Sequence, residues 1–469
     1  MDKLEKLQRI DRFVKDTRTA LFVRRADDLL MIRPDKIMKI NRTASAILED
    51  LYNREGKNAA RVLADLAVRL NVEPERLLED THNLITAVGA VLNEDFSERE
   101  CLAFGAFDRE LVRYPTLSEI ALTYGCQNRC SFCYASSPHR SGEHRHMTTG
   151  QIEKVMEKIL HQAHVPSLSF TGGEPTLHPG LPGLIRYGAG LGLRINLITN
   201  GIRASRWEYA QTLVAAGLAS AQVSLESADP AVHDGIVGRK GAHALTVAGV
   251  RNFQRLGIHV HTNTTLCAQN LDRAEEHIRF VARELKLKTL SMNMVIRTGT
   301  ALDGGQVGVT YTQVAGRLPG LLEIAGAEGV KLVWYSPIPY CIFNPVLHGL
   351  GAKSCACIDG ILSVDPAGNV LPCSSFGDGI GSLLDRSFDE IYNSRQAIYW
   401  RKKKFTPPVC RSCPDKDVCG GACPLYWDAA GSFDEIPQQG AGDPARRRRW
   451  EKKRKRSRTF GVQPPGPGV

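Results

Sequence analysis

Between residues 117 and 330, short apolar and β-branched runs alternate with amphipathic stretches of helical spacing, and nothing else in the chain restricts the fold as tightly. Strand candidates fall at residues 117–123, 168–170, 194–198, 220–224, 259–264 and 289–294. Strands joined by helix-length connections pair in parallel, with the helices covering the sheet faces. The region therefore predicts an α/β fold with about six parallel strands. Ligands in such folds bind at the loops that follow the C-terminal ends of the strands, so those loops are where functional residues belong.

Residues 1–96 read differently. Strand candidates at 20–23, 29–32 and 36–40 are split by Ala26-Asp27-Asp28 and Pro34-Asp35. Asn41 can cap a helix that carries Ala44, Ile47, Leu48 and Leu51 on one face. A second helical pattern covers about 57–70, and a third opens at Pro74 with Leu77, Leu78, Thr81, Leu84, Ile85 and Val88. Three strands followed by three helices predict a winged-helix domain. A DNA-reading winged helix needs a basic third helix, and here Glu73, Glu75, Glu79 and Asp80 outnumber Arg76. Nucleic acid is therefore not the expected partner.

The bulk composition fits a globular protein of several domains: 469 residues, 43% hydrophobic and 23% charged. No apolar run reaches the length of a membrane span. The net charge of +10 is local, because residues 446–458 hold ten Lys and Arg against the single Glu451. The body is close to neutral. The stretch 436–469, basic and then rich in Pro and Gly, is expected to be a disordered tail. Residues 1–6 lack the apolar core of an export signal. Thirteen cysteines in such a chain point to metal ligation in a reducing cytoplasm, not to disulfides.

Cys126, Cys130 and Cys133 directly follow the first strand candidate as C-x3-C-x2-C. Three thiolates at this spacing can hold three irons of a 4Fe–4S cube and leave the fourth without a protein ligand. A zinc site prefers four ligands and no vacancy, and this loop offers three. The triplet resembles the signature of the radical SAM superfamily. That resemblance implies an open (β/α)6 partial barrel of the TIM type over residues 116–330. It also implies an open iron that chelates S-adenosylmethionine, and reductive cleavage of that cofactor to a 5′-deoxyadenosyl radical. Phe132 stands at the family's adenine-packing position. Gly172-Gly173-Glu174-Pro175, after the second strand, matches the loop that contacts the methionine ammonium. Ser224, Glu226 and Asn263, at the ends of the fourth and fifth strands, match nucleoside contacts. Cys101 and Cys267 belong to no motif and read as ordinary thiols.

Beyond residue 330 the alternation stops and cysteines crowd. Cys357, Gly368 and Cys373 form C-x10-G-x4-C, and Cys410, Cys413, Cys419 and Cys423 form C-x2-C-x5-C-x3-C. Residues 331–435 resemble the SPASM extension, which implies one or two auxiliary 4Fe–4S clusters. Cys341, Cys355, Cys357, Cys373, Cys410, Cys413, Cys419 and Cys423 make the eight ligands that two clusters need. By the family pattern Cys357, Cys373 and Cys423, with Cys355 or Cys341, hold the inner cluster, and Cys410, Cys413 and Cys419 the outer one. A further downstream cysteine of that pattern is missing. Asp428, Asp434 or another group replaces it, or an iron stays open.

Residues 1–96, on the 38–48 stretch, resemble the PqqD-like domain that binds precursor peptides, and 97–115 read as a linker. The whole is similar to peptide-modifying radical SAM maturases of the PqqE and mycofactocin type. The implied partners are a ribosomally made peptide and a flavodoxin or ferredoxin as electron donor. No catalytic acid or base is assigned. The alternatives are a maturase acting on a protein or small molecule, and an iron–sulfur sensor with a DNA-binding module. Ser374 stands where sulfatase maturases carry a carboxylate, which disfavours that chemistry.

Overall fold

The computed structural model describes residues 1–18, 20–32, 36–53, 56–93, 112–140, 146–303 and 307–437. Most of the expected linker and the tail beyond 437 lie outside the described residues, as does Cys101. The chain divides into two compact units, with described residues Met1–Arg113 in one and Tyr114 onward in the other.

The first unit opens with a helix the sequence reading did not place, α1 (Lys3–Thr17), started by an Asp2–Glu5 capping box. Strands β1 (Leu21–Arg24), β2 (Leu29–Ile32) and β3 (Lys36–Lys39) then form an antiparallel sheet in that order. Helices α2 (Arg42–Asn53), α3 (Ala59–Leu70) and α4 (Pro74–Leu92) follow. Asn41 caps α2 by accepting from Ala44 N at 2.7 Å. The buried face of α1, Ile10 and Val14, packs with Leu51, Leu63, Leu66 and Leu77. Lys3 and Lys6 of α1 also reach Glu75 and Glu79, so the acidic face of α4 is partly neutralised from within the unit.

In the second unit, the parallel sheet is built from β4 (Leu117–Thr123), β5 (Ser167–Gly172), β6 (Arg194–Thr199), β7 (Ser220–Ser224), β8 (His259–Leu266), β9 (Thr289–Met294) and β10 (Lys331–Trp334). Each joins its neighbour through a helical crossover, as the alternation required. The seventh, β10, lies in residues the sequence reading gave to the cysteine-rich region. It pairs with β9 in register Lys331↔Thr289. The barrel stays open, because the other side of β4 is taken by β11 (Ile361–Val364), also parallel. Strands β12 (Asn369–Leu371) and β13 (Gly381–Ser382) extend that edge as antiparallel neighbours. The cysteine-rich region thus grows out of the same ten-stranded sheet, sharing its core through Trp334, Leu362, Val364 and Val370.

Candidate functional site

The triplet loop leaves the C-terminal end of β4 and is pinned from two other elements. Arg129 N and Ser131 N donate to Val237 O and Ile236 O at 2.8 and 2.9 Å. Thr300 bridges the loop: its Oγ1 accepts from Cys133 N at 2.7 Å and donates to Cys130 O at 2.9 Å. Gly299, at φ +56°, lies so close that a Cβ would meet Cys133 O at 2.1 Å. The sulfurs receive amide donors: Asn128 N to Cys126 Sγ at 3.4 Å and Ser137 N to Cys133 Sγ at 3.5 Å. Such donors stabilise negative charge on sulfur. Burial pushes the Cys126 thiol up to about 12 and Cys130 well above its ordinary range, with neighbouring acids and thiols adding to the rise. Only a bound cation would hold these buried groups as thiolates.

The three cysteines line one cavity of about 320 Å³ together with Phe132, Gly172, Gly173, Ser224, Glu226 and Asn263. Among the described residues no three His, Cys, Asp or Glu side chains converge on a single ion. A cubic cluster binds each thiolate through a different iron and so needs wider spacing, and three thiols with no fourth ligand match such a group with one open corner.

Gly172 and Gly173 are glycines for packing reasons. A Cβ on Gly172, at φ +132°, would meet Thr123 O at 2.2 Å, and one on Gly173 would meet Gly125 O at 2.4 Å. Gly173 N and Glu174 N donate to Thr123 O and Gly125 O, locking this loop under the triplet. Glu174 and Pro175 are not brought to the cavity wall. The Glu174 carboxylate is fully buried and accepts from Thr176 N (3.0 Å), Thr176 Oγ1 (2.6 Å), Thr199 Oγ1 (2.7 Å) and Asn200 N (2.8 Å). It joins the loop after β5 to the turn after β6.

On the opposite wall, Glu226 accepts from Thr265 N at 2.8 Å. Burial raises its carboxyl to about 8 against that hydrogen bond. Asn263 donates to Asn293 Oδ1 at 2.9 Å and accepts from Ser291 Oγ at 2.9 Å. Asn293 and Thr265 also line the cavity, and neither was singled out from the sequence. The register Thr265↔Asn293 across β8 and β9 places them side by side, and a polar residue amid Met292 and Met294 was the available signal.

Glu226 gives a pH signature. Its folded pKa is raised, so its contribution to stability is complete below the ordinary range near 4.5 and is lost as pH rises through about 8. Glu226→Gln is uncharged throughout. In the cluster-free chain its melting temperature should gain on wild type by several degrees between pH 5 and pH 8.5, and parallel melting curves across that window would contradict the assignment.

Glu119 on β4 was also missed. Its carboxyl is buried against Ser363 Oγ (2.6 Å), and burial raises its pKa against hydrogen bonds from Ser363 and Ser374. Ser374 and Ser375 close this side of the cavity, so the cysteine-rich region forms part of the wall.

The auxiliary cysteines are gathered as well. Cys355 Sγ and Cys357 Sγ are 3.2 Å apart, Cys357 contacts Cys373, and Cys423 faces Cys355 and Cys373. Of the two candidates for this group, the structure brings Cys355. Its contact with Cys357 lowers the Cys355 thiol against burial, helped by Lys403. Lys403 Nζ itself donates to Cys355 O and Asp359 Oδ1, both at 2.6 Å. Cys410, Cys413 and Cys419 form a second group. Cys267 is buried beneath the site, with its thiol pushed up by burial to about 11.

Comparison with known proteins agrees with this geometry. The Radical SAM superfamily matches residues 120–281, and the SPASM iron–sulfur cluster-binding domain matches 355–414. An AdoMet-dependent heme synthase of Methanosarcina barkeri (strain Fusaro / DSM 804) is 26% identical over 347 residues, covering 69% of this chain and 96% of the relative. A PqqA peptide cyclase of Streptomyces rochei is 28% identical over 344 residues, covering 70% and 87%. Among solved structures, Streptococcus suis SuiB bound to its precursor peptide SuiA superposes with a TM-score of 0.66 at 13% identity, over 91% of this chain and 99% of that one. Native anSMEcpe with bound AdoMet and Cp18Cys peptide gives 0.51 at 17% identity, over 69% and 97%.

Proposed function

We infer that this chain, a radical SAM enzyme with a SPASM iron–sulfur extension, modifies side chains of a ribosomally synthesised precursor peptide by crosslinking or oxidation. The likeness to PqqA peptide cyclases along most of the length of both chains is the observation that carries this reading. A 4Fe–4S cluster with S-adenosylmethionine supplies a carbon radical able to take hydrogen from an unactivated side chain. Cys126, Cys130 and Cys133 would hold the cluster, the Gly172–Gly173 backbone and Phe132 would border the cofactor, and Ser224, Glu226 and Asn263 would meet its nucleoside.

The first unit supplies the peptide site in this reading, as a PqqD-like domain. Among the described residues strand β3 pairs with β2 alone, and its Ile37 is exposed, so an extended peptide can add as a fourth strand. A flavodoxin or ferredoxin delivers electrons, and the protein works in the cytoplasm. Among the described residues no helix is long and apolar enough to cross a membrane.

The test uses the full chain, reconstituted anaerobically and given S-adenosylmethionine, dithionite and short peptides encoded beside its gene. The expected result is 5′-deoxyadenosine together with a peptide that has lost hydrogen mass. Ile37→Glu should weaken binding of that peptide by about tenfold, the worth of one buried aliphatic contact. The likeness to the heme synthase favours a second reading, a small-molecule substrate. It is supported instead if no peptide binds and a porphyrin precursor is consumed.

A further inference from the structure

Eight auxiliary cysteines must be shared between two groups, and spacing alone leaves the outer group one ligand short. Cys410 closes the turn Pro408–Cys410, Cys413 N donates to Cys410 O at 3.1 Å, and Cys419 ends the helix Lys416–Cys419. Cys423 opens the next helix but faces Cys355 and Cys373, so it is spent on the inner group. The sequence holds no cysteine after it.

Cys341 lies far upstream, on a tight turn just after β10 where Ile342 N and Phe343 N both donate to Pro339 O. Two observations put this turn at the outer group. Tyr340 N donates to Cys419 Sγ at 3.5 Å, so the backbone beside Cys341 touches that sulfur. The Cys341 thiol itself faces Cys419, Cys410 and Cys413. The turn is braced from its other side, where Tyr340 OH accepts from Lys353 N at 2.9 Å. The rival carboxylates, Asp428 and Asp434, are exposed, as Cys341 is, so what favours Cys341 is its facing Cys419, Cys410 and Cys413.

We propose that Cys341 is the fourth ligand of the outer auxiliary cluster, replacing the missing downstream cysteine. It comes from outside the matched 355–414 segment, from the turn at Pro339 that follows β10, and so links that cluster to the chain leaving the barrel sheet. Four thiolates leave no iron open, so the outer cluster passes electrons and does not ligate substrate. The assignment rests on the SPASM reading, and the experiment separates the two.

The full chain with Cys126, Cys130 and Cys133 all changed to Ala keeps only auxiliary iron, about eight atoms per chain for two cubes. Adding Cys341→Ala should lower that to about seven or fewer, by loss of one iron or of the whole cluster. In the parent chain, anaerobic iodoacetamide followed by mass spectrometry should label Cys341 at least about tenfold more slowly when iron is loaded than after its removal. Unchanged iron with equal labelling in both states would overturn the proposal, as would iron loss from Asp428→Asn or Asp434→Asn while Cys341→Ala keeps its iron. Absence of iron from the unmutated chain would overturn the SPASM reading as well.

Discussion

Cys130→Ala should abolish reductive cleavage of S-adenosylmethionine, with 5′-deoxyadenosine falling to the level of a no-protein control. Cys130 is the central member of the triplet, and Thr300 fixes its carbonyl as well as the amide of Cys133. Removing its thiol leaves two ligands on a loop shaped for three. The measurement is anaerobic, with dithionite and excess cofactor, read by chromatography. A loss of about a thousandfold or more is expected, since the chemistry belongs to the bound group and not to any side chain. Cleavage within tenfold of wild type would mean that the triplet is not the cofactor site.

Glu174→Ala should be the most disruptive change outside the cysteines. Its carboxylate gathers two amide and two hydroxyl donors, from Thr176, Thr199 and Asn200, in a fully buried position. Leaving such donors without an acceptor costs about 1–3 kcal/mol each, partly relieved by local repacking. A net loss of about 3–5 kcal/mol in denaturant unfolding follows. Asn200 also donates to Cys126 Sγ at 3.8 Å, so cofactor cleavage should fall with stability. Glu174→Asp, which keeps the carboxyl group on a shorter arm, should recover part of both. Wild-type stability in the Ala variant would show that the four hydrogen bonds do not organise these turns.

The strands of the parallel sheet were legible because each needs only a short apolar run, and the runs at 117–123, 220–224 and 289–294 match β4, β7 and β9 to the residue. Strand β10 escaped because Lys331–Trp334 is four residues long and runs into a Pro-rich turn. Helix α1 escaped because Leu7, Ile10 and Val14, at helical spacing, sit among charged neighbours. In the site, the cysteines announced themselves by spacing, yet spacing could not divide Cys341 from Cys355. That division depends on which loops the sheet brings together. Glu119 stood as the one charged residue of its strand, but its partner Ser363 lies on β11, which only the completed sheet places beside β4. Glu174 belonged to a recognisable loop, and its inward-turned role required knowing where Thr199 and Asn200 would fall.

The most direct measurement is low-temperature electron paramagnetic resonance on the anaerobically purified, dithionite-reduced full chain, recorded with and without S-adenosylmethionine. An open iron held beside Cys126, Cys130 and Cys133 should give an iron–sulfur signal whose shape changes when the cofactor is added. Zinc in the protein, and no signal that responds to the cofactor, would contradict it.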